Sequence, residues 1–340
     1  MQGVRLRMKL HSIKLAVIVL AFPIMISAHA FDIQGHRGAR GLAPENTLEG
    51  FAAALSIGVS TLELDTGITR DGVVIIAHDT RLNPDVARGP DGRWLNPPTH
   101  AIHELSFHEL QRYDVGRLRP GSDYSRRFPQ QRRMDRVRIP TLASLFELVR
   151  RSGNAQVRFN IETKLSPIAP AETASPEAFV AALLAVIREQ GMEARVTVQS
   201  FDWRTLRLVQ QQAPAIETSY LSAQQSWTDN ILMERDAAKP SPWTAGIAWA
   251  DHGSVPKMVK AAGGAVWSPY FAELTPQSVK EAQALGLKVL PWTVNETADM
   301  ERMIGLGVDG MISDYPDRLR DILQTRGLAL PAATPAAAPR

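Results

Sequence analysis

The chain has 340 residues, 44% of them hydrophobic, which excludes a disordered or collagen-like protein and leaves room for one large domain or two smaller ones. It has no cysteine, so a disulfide framework, a cysteine-zinc site and a thiol nucleophile are excluded, and any metal must be held by oxygen or imidazole. Arg5, Arg7, Lys9 and Lys14 more than account for the formal charge of +3, so the remainder is close to neutral and gives no case for nucleic-acid binding.

Those four cations precede the apolar run Leu15 to Ile26, too short for an ordinary spanning helix, and Ser27-Ala28-His29-Ala30 follows with an A-x-A pattern. Basic start, short apolar middle and small-residue exit together predict a secretory signal peptide over residues 1–30, cleaved after Ala30. The competing reading is an uncleaved anchor. Cleavage implies a periplasmic or secreted mature chain beginning at Phe31, with no stable membrane insertion.

From Phe31 onward, strand-like runs alternate with helix-like ones. The strands are expected at Asp32 to His36, Thr61 to Thr66, Val157 to Thr163, Arg195 to Ser200, Glu217 to Leu221, Gly264 to Trp267, Lys288 to Val294 and Asp309 to Ser313. Among the intervening stretches, Leu48, Phe51, Ala52 and Leu55 follow helical spacing, with Asn46 and Glu49 as an N-cap pair and Gly58 as the stop. Glu296 to Ile304 and Pro316 to Leu323 are amphipathic in the same way. Eight strands separated by helices predict an α/β fold, a (β/α)8 TIM barrel over residues 31–330.

Residues 80–140 interrupt that alternation with twelve arginines, many prolines and glycines, and one helical stretch at His103 to Tyr113. They read as an insertion after the second strand region, on the catalytic face; without them the mature chain is close to the roughly 250 residues of a plain barrel. Gly246 to Ala250 reads as a short extra strand, and Trp227 and Trp243 as loop-lining residues. The Ala/Pro-rich residues 331–340 are expected to form a disordered tail.

Three strands carry polar residues on one face. Asn160, Glu162 and Lys164 alternate with Phe159 and Ile161, Glu63 and Asp65 with Leu62 and Leu64, and Thr197 and Gln199 with Val196 and Val198. In a closed barrel the apolar face meets the helices, so the polar face points at the axis, where only a binding site compensates its desolvation. Residues two apart on a strand share a face about 6.6 Å apart, so Glu63 and Asp65 can converge on one cation, with Glu162 from the next core strand as a third ligand. Taken alone, Glu63 and Asp65 read more readily as ordinary surface acids on an edge strand. Carboxylates without cysteine or a histidine pair favour a hard ion, Ca²⁺ or Mg²⁺. His36 ends the first expected strand and His78 ends the apolar run Val73 to Ala77, and two such imidazoles can share acid and base roles near neutral pH. Arg37 and Lys164 carry charge suited to a phosphate oxygen, or to a neighbouring acid.

Gly35-His36-Arg37-Gly38-Ala39, Pro44-Glu45-Asn46-Thr47, Glu63-Leu64-Asp65-Thr66, His78-Asp79, Ile161-Glu162-Thr163-Lys164, Gln199-Ser200-Phe201, Trp292-Thr293-Val294-Asn295 and Ser313-Asp314, in this order, resemble the glycerophosphodiester phosphodiesterase family, and its exported members in particular. The resemblance implies that Glu63, Asp65 and Glu162 are metal ligands, that His36 and His78 are the acid-base pair, and that Arg37 and Lys164 lie near the phosphate. It places Gln199, Phe201 and Trp292 at strand ends lining the substrate pocket, and gives Glu45 and Asn46 to the loop and helix start. It implies small glycerophosphodiester substrates, hydrolysed to an alcohol and sn-glycerol 3-phosphate with calcium as the first-choice ion, and it sets no oligomeric state. Alternatives are a lysophospholipase D or sphingomyelinase D activity, which needs an apolar channel, and a non-catalytic periplasmic protein that binds calcium or phosphodiesters.

Other apparent motifs carry less. His103 and His108 are five apart, about 140° round a helix, whereas a zinc helix uses i, i+4. The arginines from Arg126 to Arg138 are interleaved with acids and read as a solvated loop. No dinucleotide fingerprint, phosphate loop or serine elbow occurs.

Overall fold

A computed structural model describes residue 3, residues 30–231 and residues 239–336. The expected signal peptide lies outside the described residues, apart from Gly3 and Ala30, and so do the last four residues of the expected tail.

The strands are β1 (Asp32–Gly35), β2 (Thr61–Ile68), β3 (Val74–Ile76), β4 (Arg158–Thr163), β5 (Val196–Ser200), β6 (Glu217–Ser222), β7 (Gln224–Gln225), β8 (Thr228–Asp229), β9 (Val266–Pro269), β10 (Lys288–Val289) and β11 (Gly310–Ser313). The helices are α1 (Leu48–Ile57), α2 (Phe107–Leu110), α3 (Asp123–Arg127), α4 (Leu142–Arg151), α5 (Pro176–Glu189), α6 (Trp203–Gln212), α7 (Trp249–His252), α8 (Val255–Ala261), α9 (Pro276–Ala284), α10 (Thr297–Leu306) and α11 (Pro316–Thr325). One parallel sheet runs in the order β10-β9-β6-β5-β4-β2-β1-β11, with β3 antiparallel on β2. Its two ends are joined by Asp309 N–H to Val289 O at 3.1 Å and Ile312 N–H to Pro291 O at 2.9 Å. This is the (β/α)8 barrel that the alternation predicts.

The two strand faces divide as their residues dictate. Leu62, Leu64, Phe159, Ile161 and Val198 are fully buried in the shell between sheet and helices, where Phe159 meets Phe146 of α4 edge to face at 4.8 Å. Each such side chain contributes about 1.5–3 kcal/mol by leaving water. The other face is buried too, but polar. Asp65 pairs in register with Glu162, and Glu162 with Gln199, so one layer of the barrel interior holds three polar residues from three adjacent strands.

All eight expected barrel strands are present, with shifted ends. The expected strand Lys288 to Val294 keeps regular form only at β10, because Pro291 lacks the N–H that a ladder needs; Leu290 and Trp292 still donate to Trp267 and Pro269 of β9. Gly246 to Ala250 is not a strand: a turn precedes α7 there. The helical stretch His103 to Tyr113 is broken into a 3₁₀ turn, Ile102–Glu104, and the single turn α2, capped by Ser106. Asn46 does not cap α1. Thr47 does so, its Oγ1 accepting from Gly50 N–H, which leaves the Asn46 side chain for other work.

Residues 80–140 lie between β3 and α4 and build a satellite core from Leu82, Ala87, Ile102, Leu110, Val115 and Val137 around Ile75. The arginines from Arg126 to Arg138 are exposed, as a solvated loop requires, whereas Arg88 of the same insertion bridges Asp114 and Asp135, each at 2.6 Å. Residues 331–336 carry no helix or strand, but they are not a free tail: Thr334 N–H donates to Leu55 O at 2.8 Å and Arg320 Nη1 to Pro331 O at 2.8 Å.

Candidate active site

β1 ends in Gly35-His36-Arg37-Gly38, and this turn delivers two site residues at once. Gly38 has φ +89°, and a Cβ there would lie 2.6 Å from the Gly50 carbonyl carbon, so only glycine lets α1 pack this close. Arg37 takes φ +50° and Asn46 φ +53°, unusual for side chains of their size, and both point into the site. The Arg37 N–H donates to Glu63 Oε2 at 2.9 Å, and Asn46 Nδ2 to Asp65 Oδ2 at 2.8 Å.

Glu63, Asp65 and Glu162 each present an oxygen within 4.8 Å of the others, and all three are buried. Burial pushes the Glu63 carboxyl well above its ordinary range, with the Asp65 charge adding to the effect. Glu162 is pushed up to about 7 by burial, against the pull of Lys164. Burial acts on Asp65 in the same direction but is outweighed: Lys164 Nζ at 3.1 Å and Arg37 Nε at 3.2 Å hold that carboxyl well below the usual range. Lys164 also reaches Glu162 Oε1 at 2.7 Å. Among the described residues no lysine or arginine pairs with Glu63; Gln199 Nε2 donates to its Oε1 at 2.7 Å. Three converging acids, two of them driven toward protonation by their surroundings, fit a hard divalent cation, which would favour the charged forms.

The two histidines are oriented alike. His36 Nδ1 lies 2.6 Å from Asp314 Oδ1, and His78 Nδ1 lies 2.8 Å from Asp79 Oδ1. Each aspartate fixes one ring nitrogen and leaves Nε2 for the cleft. His36 Nε2 is 3.9 Å from Glu63 Oε2. Burial, then the nearby Arg40, lowers the His36 pKa to about 4; burial, then Arg37, lowers that of His78. Both shifts favour the neutral ring, the form whose Nε2 accepts a proton. Asp314 is itself gripped by Arg40, through Nε at 2.7 Å and Nη2 at 3.0 Å, and by Asn295 Nδ2 at 2.7 Å.

His36, Glu63, His78, Glu162 and Lys164 line one cleft of about 1010 Å³. Its far wall is aromatic: Phe201 and Trp292 meet edge to face at 5.3 Å, and Trp227, 57% exposed on the β7–β8 turn, lies 6.1 Å from Trp292. All ten residues singled out in the sequence thus stand in or around this site, although Asp65 sits beneath the cleft and Gln199 chiefly holds Glu63. Glu45 holds the loop as expected, its Oε1 accepting from Arg37 Nη1 at 2.8 Å, whereas Asn46 bonds Asp65 and not the helix start. The sequence assigns no role to Asp79, Asp314, Arg40 or Asn295. Asp79 and Asp314 could have been found as acids at the mouths of apolar strands; Tyr124 of the insertion, whose hydroxyl donates to Glu45 Oε2 at 2.5 Å, has no such signal.

The profile of the glycerophosphoryl diester phosphodiesterase family matches residues 36–318. The chain belongs to that family. A glycerophosphodiester phosphodiesterase from Caldanaerobacter subterraneus subsp. tengcongensis is 27% identical over 295 residues, covering 86% of this chain and 97% of that protein. A solved structure from Silicibacter pomeroyi DSS-3, assigned to the glycerophosphoryl diester phosphodiesterases, is 39% identical with a TM-score of 0.79, over 89% of this chain and 96% of that one. A phosphodiesterase from Oleispira antarctica, solved with the product sn-glycerol-3-phosphate, shares the fold at 23% identity and a TM-score of 0.63, over 87% and 97% of the two chains. As a glycerophosphodiester phosphodiesterase family member the chain is a phosphodiesterase enzyme, and glycerophosphodiesters are its substrate class. The family is metal-dependent, and the buried acidic triad can hold an ion.

Proposed function

We propose that the protein is an exported, metal-dependent hydrolase that cleaves glycerophosphodiesters to an alcohol and sn-glycerol 3-phosphate. Glu63, Asp65 and Glu162 would hold the ion, with calcium as first choice and magnesium second, since a calcium site tolerates flexible carboxylate geometry. When bound there, a dication would supply positive charge that stabilises the negative charge developing on the phosphoryl group. Arg37 and Lys164 steady the phosphate, and Gln199 and Arg37 N–H fix Glu63. One imidazole Nε2 takes the proton of the attacking oxygen, that of water or of the substrate's own glycerol hydroxyl, as it bonds to phosphorus; the other, entering as imidazolium, gives its Nε2 proton to the leaving alkoxide as the P–O bond breaks, and water opens the cyclic phosphate where the glycerol hydroxyl attacks. Asp314 and Asp79 steady the imidazolium forms and keep both rings in the tautomer with Nε2 toward the cleft. Phe201 and Trp292 offer an apolar wall to the carbon skeleton of the substrate.

The observation that carries this reading is the convergence of three carboxylates and two aspartate-backed imidazoles on one cleft. The test is an enzyme-coupled assay for released glycerol 3-phosphate from glycerophosphocholine, run with chelator and then with each cation restored. Release that is abolished by chelator and recovered best with calcium is expected; metal-independent release rejects the metal role. Lysophosphatidylcholine, run beside it, is expected to turn over more slowly. Export is tested by mass spectrometry of the secreted or periplasmic chain, whose N-terminus is expected at Phe31.

A further inference from the structure

The insertion reaches the cleft through α3, and two consecutive arginines there behave differently. Arg126 turns outward to Asp123 and the Gly121 carbonyl. Arg127 lines the cleft, and among the described residues no carboxylate pairs with it. Its guanidinium lies 4.9 Å from the centre of the Tyr124 ring and 5.9 Å from that of Phe128. Tyr124 is tied in turn to the catalytic turn: its hydroxyl donates to Glu45 and accepts from Arg37 Nη1 at 3.3 Å and Arg40 Nη1 at 3.2 Å. Arg127 is thus a positioned cation with no carboxylate partner among the described residues, at the mouth of a site whose other cations each also hold a carboxylate: Arg37 that of Glu45, Arg40 that of Asp314, and Lys164 those of Asp65 and Glu162. Stacking holds a guanidinium in place while leaving its fork of N–H groups free for a carboxylate or phosphate.

We propose that Arg127 is a specificity-determining residue that selects diesters whose head group carries an anionic substituent, a carboxylate above all. The assignment rests on the phosphodiesterase reading and deepens it, because it concerns the leaving alcohol and not the phosphodiester common to all substrates. The aromatic wall of Phe201, Trp227 and Trp292 could instead favour a quaternary ammonium head group, and the test separates the two.

Glycerophosphoserine and glycerophosphoethanolamine differ only by a carboxylate, so kcat/KM for this pair and for glycerophosphocholine is measured on wild type, R127Q, R127K and W227A, with divalent cation present. Arg127 is exposed, so R127Q empties no core. The expected result is a wild-type preference for the serine diester, reduced about tenfold relative to the ethanolamine diester in R127Q and partly restored in R127K, as for loss of one charge-assisted hydrogen bond. An equal loss on all three diesters in R127Q would mean contact with the shared phosphate and overturns the assignment. A wild-type choline preference that disappears in W227A overturns it in favour of the aromatic wall. Turnover of none of the three defeats the phosphodiesterase reading and this assignment with it, whereas turnover without discrimination defeats this assignment alone.

Discussion

His36 and Asp314 are 278 residues apart in the chain, yet His36 Nδ1 and Asp314 Oδ1 lie 2.6 Å apart just beyond the paired strands β1 and β11, the first and last of the sheet in chain order. The aspartate is fully buried, and Arg40 and His36 together outweigh its desolvation and hold its carboxyl far below the usual range. Pairing of the last strand with the first therefore also orients the His36 ring.

Replacing Asp314 by Asn keeps the shape but removes the charge opposite Arg40 and allows the wrong His36 tautomer. The expected outcome is a kcat lowered by about 10²-fold or more, together with a loss of stability approaching the roughly 3–5 kcal/mol of a broken buried ion pair. Steady-state kinetics and chemical denaturation measure both. A variant within threefold of wild type in kcat would show that the contact does not orient the ring.

His36→Gln and His78→Gln each remove a proton carrier while leaving a polar side chain in the cleft. Each is expected to lower kcat by about 10² to 10⁴ with a smaller change in KM. Unchanged turnover in either variant removes that histidine from the proposed mechanism.

Metal removal is expected to couple to pH through Glu162. Its folded-state value is raised, to about 7 from an ordinary 4.5, by burial first and by Asp65 next. A carboxyl raised in this way contributes stability that is present below pH 4.5 and is lost as the pH climbs through about 7, because the folded chain must then bury the charge. A bound dication favours the charged form, so calcium should raise the melting temperature more at pH 8 than at pH 5 and should release protons on binding near pH 7. Thermal unfolding with chelator or calcium, and calorimetric titration in buffers of different ionisation enthalpy, measure these effects. Equal stabilisation at both pH values would detach Glu162 from the ion.

The shell between sheet and helices is tested by Phe159→Ala. Phe159 is fully buried against Phe146, and its truncation is expected to cost about 3–5 kcal/mol. Activity per folded molecule should change far less than stability, since the ring faces away from the barrel axis. A loss below 1 kcal/mol by denaturant titration would mean that the shell repacks around the gap.

Alternation along single strands was enough to foretell much of this molecule. Leu62 and Leu64 against Glu63 and Asp65, or Phe159 and Ile161 against Asn160 and Glu162, state which face meets helices and which meets the axis, because side chains on a strand alternate with a period of two. Strand-helix alternation gave the barrel, and strand-end position marked the acids and histidines. Other decisions belonged to the tertiary structure alone. Thr47, not Asn46, caps α1, because Asn46 is drawn to Asp65 by a hydrogen bond between residues 19 apart. Asp314 finds His36 only when the last strand closes on the first, and Tyr124 finds Glu45 only when the insertion folds back over the mouth. Local periodicity is written within a few residues by backbone geometry, whereas a contact across 79 or 278 residues depends on where the whole chain has put its ends.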